Sequence, residues 1–270
     1  MTTPTQIESK ASIHHSSAAL SAPERRFYWV VLPAYNEERS LPPLLDRIAK
    51  AMFESNAPYR ILVVDDGSSD STARIAEEYA RNIPLVLERH TVNLGLGMTI
   101  RDGLLKAIEM ANPRDIIVTM DADNSHNPEL IARMGQLVRE GNDVVIASRY
   151  QPGSTTRGVS RLRRFLSFGA GLLFRIAFPI PSVRDYTCGF RAYKAEALKR
   201  AGEHYGQAMF DQQGFQCMAD ILLKLRRLDL IFTEVPMVLR YDQKESPSKM
   251  KVGRTIGNTL LLMFKRRLGF

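Results

Sequence analysis

The sequence of 270 residues contains only two cysteines, Cys188 and Cys217. Two cysteines are too few for a disulfide framework, and their spacing matches no metal-binding motif. We therefore expect the chain to work in a reducing compartment, with the cytosol as the default.

Long apolar runs are also missing. A membrane-spanning helix needs roughly 18 apolar residues or more, and the longest candidates, at 165–178 and 259–264, are interrupted or too short. Residues 1–23 are rich in Ser, Ala and Thr and lack the apolar core of a secretory signal. We predict a disordered tail over 1–26, a globular domain over 27–250 and an amphipathic helix over 251–270.

Acidic residues are absent from Val144 to Arg184, although the whole chain carries a net charge of +8. A surplus of this kind calls for an anionic partner such as nucleic acid, a membrane face or phosphorylated small molecules. The seven arginines of this segment are Arg149, Arg157, Arg161, Arg163, Arg164, Arg175 and Arg184. A solvated basic face would explain them, but arginine without lysine favours bidentate phosphate binding.

Apolar runs alternate with segments of helical periodicity up to about residue 148. Strands are predicted at 27–32, 60–65, 84–88, 115–120 and 143–148, and helices at 41–54, 71–82, 97–111 and 128–140. This alternation predicts an α/β fold with a doubly wound, mostly parallel sheet. Beyond residue 150 we expect a helix near 211–227, two short strands near 229–240 and a helix from about 252.

Carboxylates follow the predicted strands, at the edge where ligands of such sheets bind. Residues 121–126 read Asp-Ala-Asp-Asn-Ser-His after the strand at 115–120. Asp121 and Asp123 can gather a hard divalent cation, Mg²⁺ or Mn²⁺, which would neutralise a departing diphosphate. An Asp-x-Asp pair alone is common in loops, but Glu37 and Asp65 lie at parallel strand ends. Because a buried carboxylate needs a partner, Asp65 is a candidate to accept hydrogen bonds from a nucleobase or ribose.

Four motifs occur in a fixed order: Pro-Ala-Tyr-Asn-Glu at 33–37, Val-Asp-Asp-Gly-Ser-Ser-Asp-Ser-Thr at 64–72, Asp-Ala-Asp at 121–123 and Ser-Arg-Tyr at 148–150. Together they resemble the inverting family 2 glycosyltransferases, whose fold is of the glycosyltransferase A type. The segments 163–167 and 185–191, and Arg240 with 248–250, are similar to those of the dolichyl-phosphate mannosyltransferases and other polyprenyl-phosphate glycosyltransferases. The resemblance covers about residues 27–255.

The resemblance implies roles for individual positions. Contacts to the nucleotide-sugar donor are implied for Pro33, Tyr35, Glu37, Val63, Asp65, Asp121, Ala122, Asp123, Arg240 and Lys249. A divalent metal ion would be bound by Asp121 and Asp123, with Ser125 at the position where relatives often carry a further metal-site residue. The acceptor phosphate would be held by Arg149, Arg163 and Ser167. Asp121, Asp123 and Arg149 are the implied catalytic residues.

The implied reaction is inverting transfer of a sugar, first of all mannose from GDP-mannose, to a polyprenyl or dolichyl phosphate. An acceptor phosphate is already anionic, so positioning and charge stabilisation suffice. Another nucleotide-sugar such as UDP-glucose, or a saccharide or protein acceptor, remains an alternative. The saccharide or protein acceptor would need a general base near Asp185 or Asp220. Nucleic-acid binding fits poorly, because acidic motifs end the strands, and the Asp121/Asp123 pair argues against a non-catalytic scaffold.

Two segments, 161–178 and 252–268, combine basic residues with aromatic and aliphatic ones. Such segments either pack on the core or lie in a membrane surface. We expect 151–184 to bind the acceptor against the membrane, and the chain to act as a peripheral protein on its cytoplasmic face. An integral-membrane partner subunit would be compatible with this expectation.

Overall fold

The computed structural model describes residues 26–244 and 252–268. The strands are β1 (Tyr28–Ala34), β2 (Tyr59–Asp65), β3 (Leu85–Arg89), β4 (Ile116–Thr119), β5 (Val144–Ser148), β6 (Thr155–Arg157), β7 (Arg191–Lys194), β8 (Phe232–Pro236) and β9 (Val238–Arg240). The helices are α1 (Leu41–Glu54), α2 (Thr72–Tyr79), α3 (Leu96–Met110), α4 (Leu130–Arg139), α5 (Arg161–Ala177), α6 (Ala195–Tyr205), α7 (Cys217–Leu225) and α8 (Val252–Arg267). The tail predicted over 1–26 lies outside the described residues except for its last position.

The main sheet has seven strands in the order β3-β2-β1-β4-β7-β5-β8. Six run parallel, whereas β7 is antiparallel to both of its neighbours, β4 and β5. The prediction of a mostly parallel α/β sheet is therefore confirmed. The short strand β7 and the helix α6 were not predicted.

The central strands are apolar on both faces because helices cover both sides of the sheet. Val30, Val31 and Leu32 of β1 have no exposed surface. Helix α3 lies so close to the sheet that a Cβ atom on Gly103 would come within 2.5 Å of Val31 Cγ1. This tight packing fixes the strand ends, and with them the loops that follow β1, β2 and β4.

A second sheet pairs β6 with β9 in parallel and lies next to the loop after β4. The backbone N–H of Arg240 donates to the carbonyl of Ser125 at 2.8 Å, so the end of β9 is attached to that loop. The helix predicted near 211–227 is shorter, since α7 begins only at Cys217 and ends at Leu225. A 3₁₀ turn at 206–210 precedes it. Among the described helices, none is both long and apolar enough to cross a membrane.

Candidate active site

A cavity of about 770 Å³ opens at the carboxyl ends of β1 and β4 and extends to α5. At one end it is lined by Pro33, Tyr35, Glu37 and Asp66, and at the other by Arg164, Phe165, Ser167 and Phe168. Its middle is lined by Asp121, Ala122, Asp123, Arg149 and Lys244, among others. The cavity therefore joins the two groups of residues for which the sequence predicted donor and acceptor binding.

The Asp123 carboxylate is held from both sides. Its Oδ1 accepts hydrogen bonds from the backbone N–H of Ser125 at 3.0 Å and from the Ser125 hydroxyl at 2.6 Å. Its Oδ2 lies 2.7 Å from Nζ of Lys244. Burial alone would raise the pKa of the Asp123 carboxyl, but the Lys244 ammonium, the neighbouring His126 and these hydrogen bonds keep that pKa below its usual value. Asp123 is therefore ionised and oriented before any ligand arrives.

Asp121 is the more accessible carboxylate, with its side chain 47% exposed to the cavity. Desolvation inside the cavity and the nearby charge of Asp123 raise the pKa of the Asp121 carboxyl, although His126 opposes the shift. His126 Nε2 lies 4.0 Å from Asp121 Oδ2, and its ring stacks on Phe190. A divalent cation that binds here would relieve the repulsion between the two carboxylates.

The residues present fit a metal ion that is shared with a diphosphate. Among the described residues no group of three His, Cys, Asp or Glu side chains could hold a metal ion alone. Asp121 and Asp123 can supply two oxygen ligands, as is usual for Mg²⁺ bound together with substrate phosphates and water. Asp123 Oδ2 already accepts a cationic group, the ammonium of Lys244. The Ser125 hydroxyl donates to Asp123. A role of Ser125 as a metal ligand stays a prediction.

The loop after β4 is braced by α1. Arg47 donates from Nη1 to Asn124 Oδ1 and from Nη2 to Asn127 Oδ1, each at 2.9 Å. Asn124 has a φ of +60°, a left-handed conformation that asparagine tolerates better than most residues. Arg47 therefore helps to shape the loop that carries Asp121 and Asp123, a role that no local sequence pattern indicated.

Asp65 and Asp66 are neighbours in sequence, but only Asp66 lines the cavity, at the same end as Tyr35 and Glu37. Asp66 lines the cavity and accepts hydrogen bonds from the backbone N–H groups of Leu94 and Gly95 and from His90. Asp65 and Val63 have no exposed surface and are not among the residues that line the cavity. Pro33, Tyr35 and Glu37 do line it. The donor contacts of all five residues remain predictions.

Arg149 forms a bidentate ion pair with the fully buried Asp185. Its Nε lies 2.8 Å from Oδ2 and its Nη2 lies 2.7 Å from Oδ1, and Nη2 also donates to Thr187 Oγ1 at 2.7 Å. Burial would raise the pKa of the Asp185 carboxyl, but the Arg149 charge and hydrogen bonds lower it below its usual value. Asp185 thus fixes the arginine at the cavity wall and takes up much of its hydrogen-bonding capacity.

The end of the cavity at which the acceptor is predicted to bind is formed by α5 and Tyr150. Ser167 lines the cavity, and its hydroxyl is hydrogen-bonded to the Tyr150 hydroxyl at 2.9 Å. Its contact with an acceptor phosphate stays a prediction. Arg163 belongs to α5, but its side chain lies outside the part that the structure describes. Arg164 lines the cavity beside the exposed Phe165.

The donor-phosphate contacts predicted near the end of the chain differ in placement. The Arg240 guanidinium pairs with Asp242 at 2.9 Å and is not among the residues that line the cavity. Lys249 lies outside the described residues. Lys244, which the sequence did not single out, lines the cavity instead. Its contact with Asp123 joins residues 121 positions apart, so no local pattern could have revealed it.

The strand-end carboxylates and the ordered motifs agree with a comparison against known families. The family described as "Glycosyl transferase family 2" matches residues 29–202. The chain belongs to this family. It is therefore a glycosyltransferase.

Curated relatives of this glycosyltransferase include enzymes named for lipid-phosphate acceptors. It is 32% identical to a dolichol-phosphate mannosyltransferase of Pyrococcus furiosus over 84% of its own length, and it spans 60% of that relative. It is 34% identical to an undecaprenyl-phosphate mannosyltransferase of Micrococcus luteus, with 83% of this chain and 87% of the relative covered. A dolichyl-phosphate β-glucosyltransferase of Trichomonas vaginalis is 30% identical, with 84% and 69% covered.

Solved structures of similar fold include glucosyl-3-phosphoglycerate synthase of Mycobacterium tuberculosis in complex with Mn²⁺, UDP and phosphoglyceric acid. It superposes with a TM-score of 0.61 at 20% identity and covers 91% of this chain and 79% of that one. The same protein has also been solved with Mg²⁺ and UDP. At this identity the likeness supports the glycosyltransferase A type of fold and no more.

Proposed function

We propose that this glycosyltransferase moves a sugar from a nucleoside-diphosphate sugar to a polyprenyl or dolichyl phosphate, with inversion at the anomeric carbon. The observation that carries the proposal is that one continuous cavity reaches both predicted binding regions. The carboxylates Asp121 and Asp123 lie in its middle, and the basic and aromatic face of α5, with Arg164 and Phe165, lies at one end. A donor diphosphate beside the two aspartates and a lipid phosphate beside α5 would bring the anomeric carbon and its nucleophile together.

A divalent cation held by Asp121 and Asp123 would neutralise the diphosphate as it departs. The protein supplies the rest of the site. Ser125 orients Asp123, and Arg149, fixed by Asp185, presents positive charge at the cavity wall. Mg²⁺ and Mn²⁺ are both suitable, since both bind carboxylate, phosphate and water oxygens.

A lipid phosphate suits the site better than a saccharide or protein acceptor, which would need a general base. The two carboxylates considered for that role are both buried and paired. Asp185 is engaged by Arg149, and Asp220 lies 2.6 Å from Lys224 Nζ and 2.6 Å from Arg266 Nε. A phosphate oxygen is already anionic at neutral pH and attacks without such a base.

Mannose is the first candidate for the transferred sugar, with GDP-mannose as its donor. The support comes from three relatives whose names specify mannose, at 32 to 34% identity. Glucose from UDP-glucose is the second candidate, because the Trichomonas vaginalis relative is named as a β-glucosyltransferase.

We further propose that the enzyme binds the cytoplasmic face of a membrane through α5 and α8. Their exposed apolar side chains are Phe165, Leu166, Phe168, Leu172, Leu173 and Ile176 on α5, and Ile256, Leu260, Leu261 and Phe264 on α8. Basic residues accompany them, among them Arg164 and Arg175 on α5 and Lys265 on α8. Apolar burial together with attraction to anionic lipid holds such helices in the interface, where the acceptor phosphate lies.

The proposal is tested by incubating the protein with undecaprenyl phosphate, Mn²⁺ and, in separate reactions, radiolabelled GDP-mannose, UDP-glucose and other nucleotide-sugars. Label should enter the organic phase with one donor, and GDP-mannose is expected. Transfer from UDP-glucose alone would reassign the sugar and keep the reaction. No transfer of any label from the panel to the lipid would refute the proposed acceptor.

A further inference from the structure

The Asp123 carboxylate has a partner on each of its two oxygens. Oδ1 accepts two hydrogen bonds from Ser125, and Oδ2 is engaged by the Lys244 ammonium at 2.7 Å. The proposed metal ion also needs an oxygen of this carboxylate. The Lys244 ammonium repels a divalent ion at this short distance, so a metal ion that binds Asp123 through Oδ2 competes with Lys244 for that oxygen.

The contact between Lys244 and Asp123 is not a loose surface ion pair. The Lys244 and Asp123 side chains are only 11% and 10% exposed, and the ammonium lies 5.3 Å from the centre of the Tyr241 ring. The segment 241–244 follows β9, whose last residue, Arg240, is hydrogen-bonded to the Ser125 carbonyl. The backbone thus brings Lys244 to the loop that carries both predicted metal ligands.

A displaced Lys244 would remain in the cavity. It is one of the lining residues, and a lysine side chain has four methylene groups and a compact ammonium that can reorient. Nucleoside-diphosphate sugars place their negative charge where the metal ion binds. An ammonium that has left Asp123 can therefore pair with a diphosphate oxygen a short distance away.

We propose that Lys244 exchanges partners when the donor binds. Without donor, its ammonium binds Asp123 Oδ2; with donor, the divalent ion binds this oxygen and the ammonium binds the donor diphosphate. This inference rests on the proposed function, because it assumes that Asp123 binds the metal. It adds a donor-binding residue and assigns it the diphosphate as ligand. In the absence of donor, Lys244 competes with the metal; in its presence, Lys244 assists binding.

If Lys244 exchanges partners in this way, removing its charge should have opposite effects on Mn²⁺ binding and on nucleotide binding. Lys244→Met should bind Mn²⁺ about tenfold more tightly without nucleotide, because a competing charge close to the ion is gone. The same variant should bind GDP and UDP about tenfold more weakly at saturating Mn²⁺, because a charge-assisted hydrogen bond is lost. A purely structural role of Lys244 would weaken both kinds of binding.

The experiment measures free Mn²⁺ by electron paramagnetic resonance and nucleotide binding by isothermal titration calorimetry. Lys194→Met is the matched control, because Lys194 pairs with Glu196 at 2.7 Å and aligns with Ile116 at the opposite end of β4. Its two affinities should equal those of the wild type. Lys244→Gln is a second uncharged variant, and circular dichroism verifies the fold of each.

Asp123→Asn separates the failure of this inference from that of the proposed metal site. Loss of Mn²⁺ binding in Asp123→Asn, together with unchanged or weaker Mn²⁺ binding in both Lys244 variants, would overturn the exchange and keep the metal site. Equal Mn²⁺ binding by wild type and Asp123→Asn would remove the metal site, and the exchange with it. Tighter Mn²⁺ binding with weaker nucleotide binding in the Lys244 variants is the result that supports the exchange.

Discussion

Arg266 of α8 forms a bidentate ion pair with Asp220 of α7, with Nε 2.6 Å from Oδ1 and Nη2 3.0 Å from Oδ2. Asp220 is almost completely buried and also pairs with Lys224. The pair fixes which side of α8 meets the protein, and Leu262 is buried on that side. Leu261 and Phe264 are left exposed, so the helix is docked on the core and still presents an apolar face.

The exposed face of α8 should contribute to membrane binding. Leu261→Asp combined with Phe264→Asp should reduce co-sedimentation with anionic vesicles, as should truncation after Gly257. Phe53→Asp is the control, because Phe53 is exposed near the end of α1, away from the carboxyl edge of the sheet. Binding should also weaken with salt, since each basic residue near the surface contributes about 1 kcal/mol. Unchanged pelleting of the double variant would exclude α8 as an anchor.

Asp123, which we propose as a metal ligand, should be required for turnover but not for folding. Asp123→Ala should lower kcat by at least about a hundredfold, because the charge that stabilises the leaving diphosphate is lost. EDTA should have the same effect on the wild type. Asp229→Asn, at an exposed position, should keep full activity. Full turnover by Asp123→Ala, or in EDTA, would disprove the metal-dependent reaction.

The ion pair between Arg149 and Asp185 should stabilise the fold. Asp185→Asn leaves a largely buried guanidinium without its counter-charge, so the free energy of unfolding should fall by about 3 kcal/mol. Urea denaturation measures this loss, with Asp229→Asn as the control. A loss no larger than that of the control would mean that the pair contributes nothing to stability.

The same pair gives a pH dependence with a definite sign. Although burial opposes ionisation, the Arg149 charge holds the pKa of the Asp185 carboxyl below its unfolded value of about 4. The stabilisation is thus complete above that value and is lost as the pH falls through the folded pKa. Below about pH 4 the wild type should lose stability more steeply than Asp185→Asn. Parallel curves for the two proteins would contradict this assignment.

Arg163 should act on the acceptor rather than the donor. It precedes Ser167 by four residues in α5, which places both on one side of the helix. Arg163→Ala should raise the KM for polyprenyl phosphate about tenfold, as expected for a lost charged hydrogen bond, and leave the KM for the donor nearly unchanged. Arg200→Ala, exposed on α6, is the control. An effect on the donor KM alone would count against this placement of the acceptor.

Much of the sheet could be predicted because its strands are continuous apolar runs. Strands β1 to β5 and helices α1 to α4 lie within a few residues of their predicted positions. Strand β7 was missed because it is four residues long and begins with Arg191. That arginine is fully buried and donates to the carbonyls of Met218 and Tyr186, which a sequence pattern does not reveal.

The positions of the candidate site residues could likewise be predicted only in part. The carboxylates Asp121 and Asp123 could be predicted because they directly follow a buried strand. Lys244 could not, because its position depends on the pairing of β9 with β6 and on the backbone contact to Ser125. Local sequence indicates which residues end a strand, whereas the tertiary structure determines which distant residues lie next to them.

We propose a phosphate on the lipid as the nucleophile. The direct measurement is transfer of the labelled sugar to undecaprenyl phosphate and, in parallel, to undecaprenol, with Mn²⁺ and the same donor. We expect a labelled lipid with the phosphate only, because the cavity has a basic end at α5 and the carboxylates of Asp185 and Asp220, both engaged in ion pairs, are not free to activate an alcohol. Equal transfer to undecaprenol, or transfer to a saccharide in place of the lipid phosphate, would contradict it.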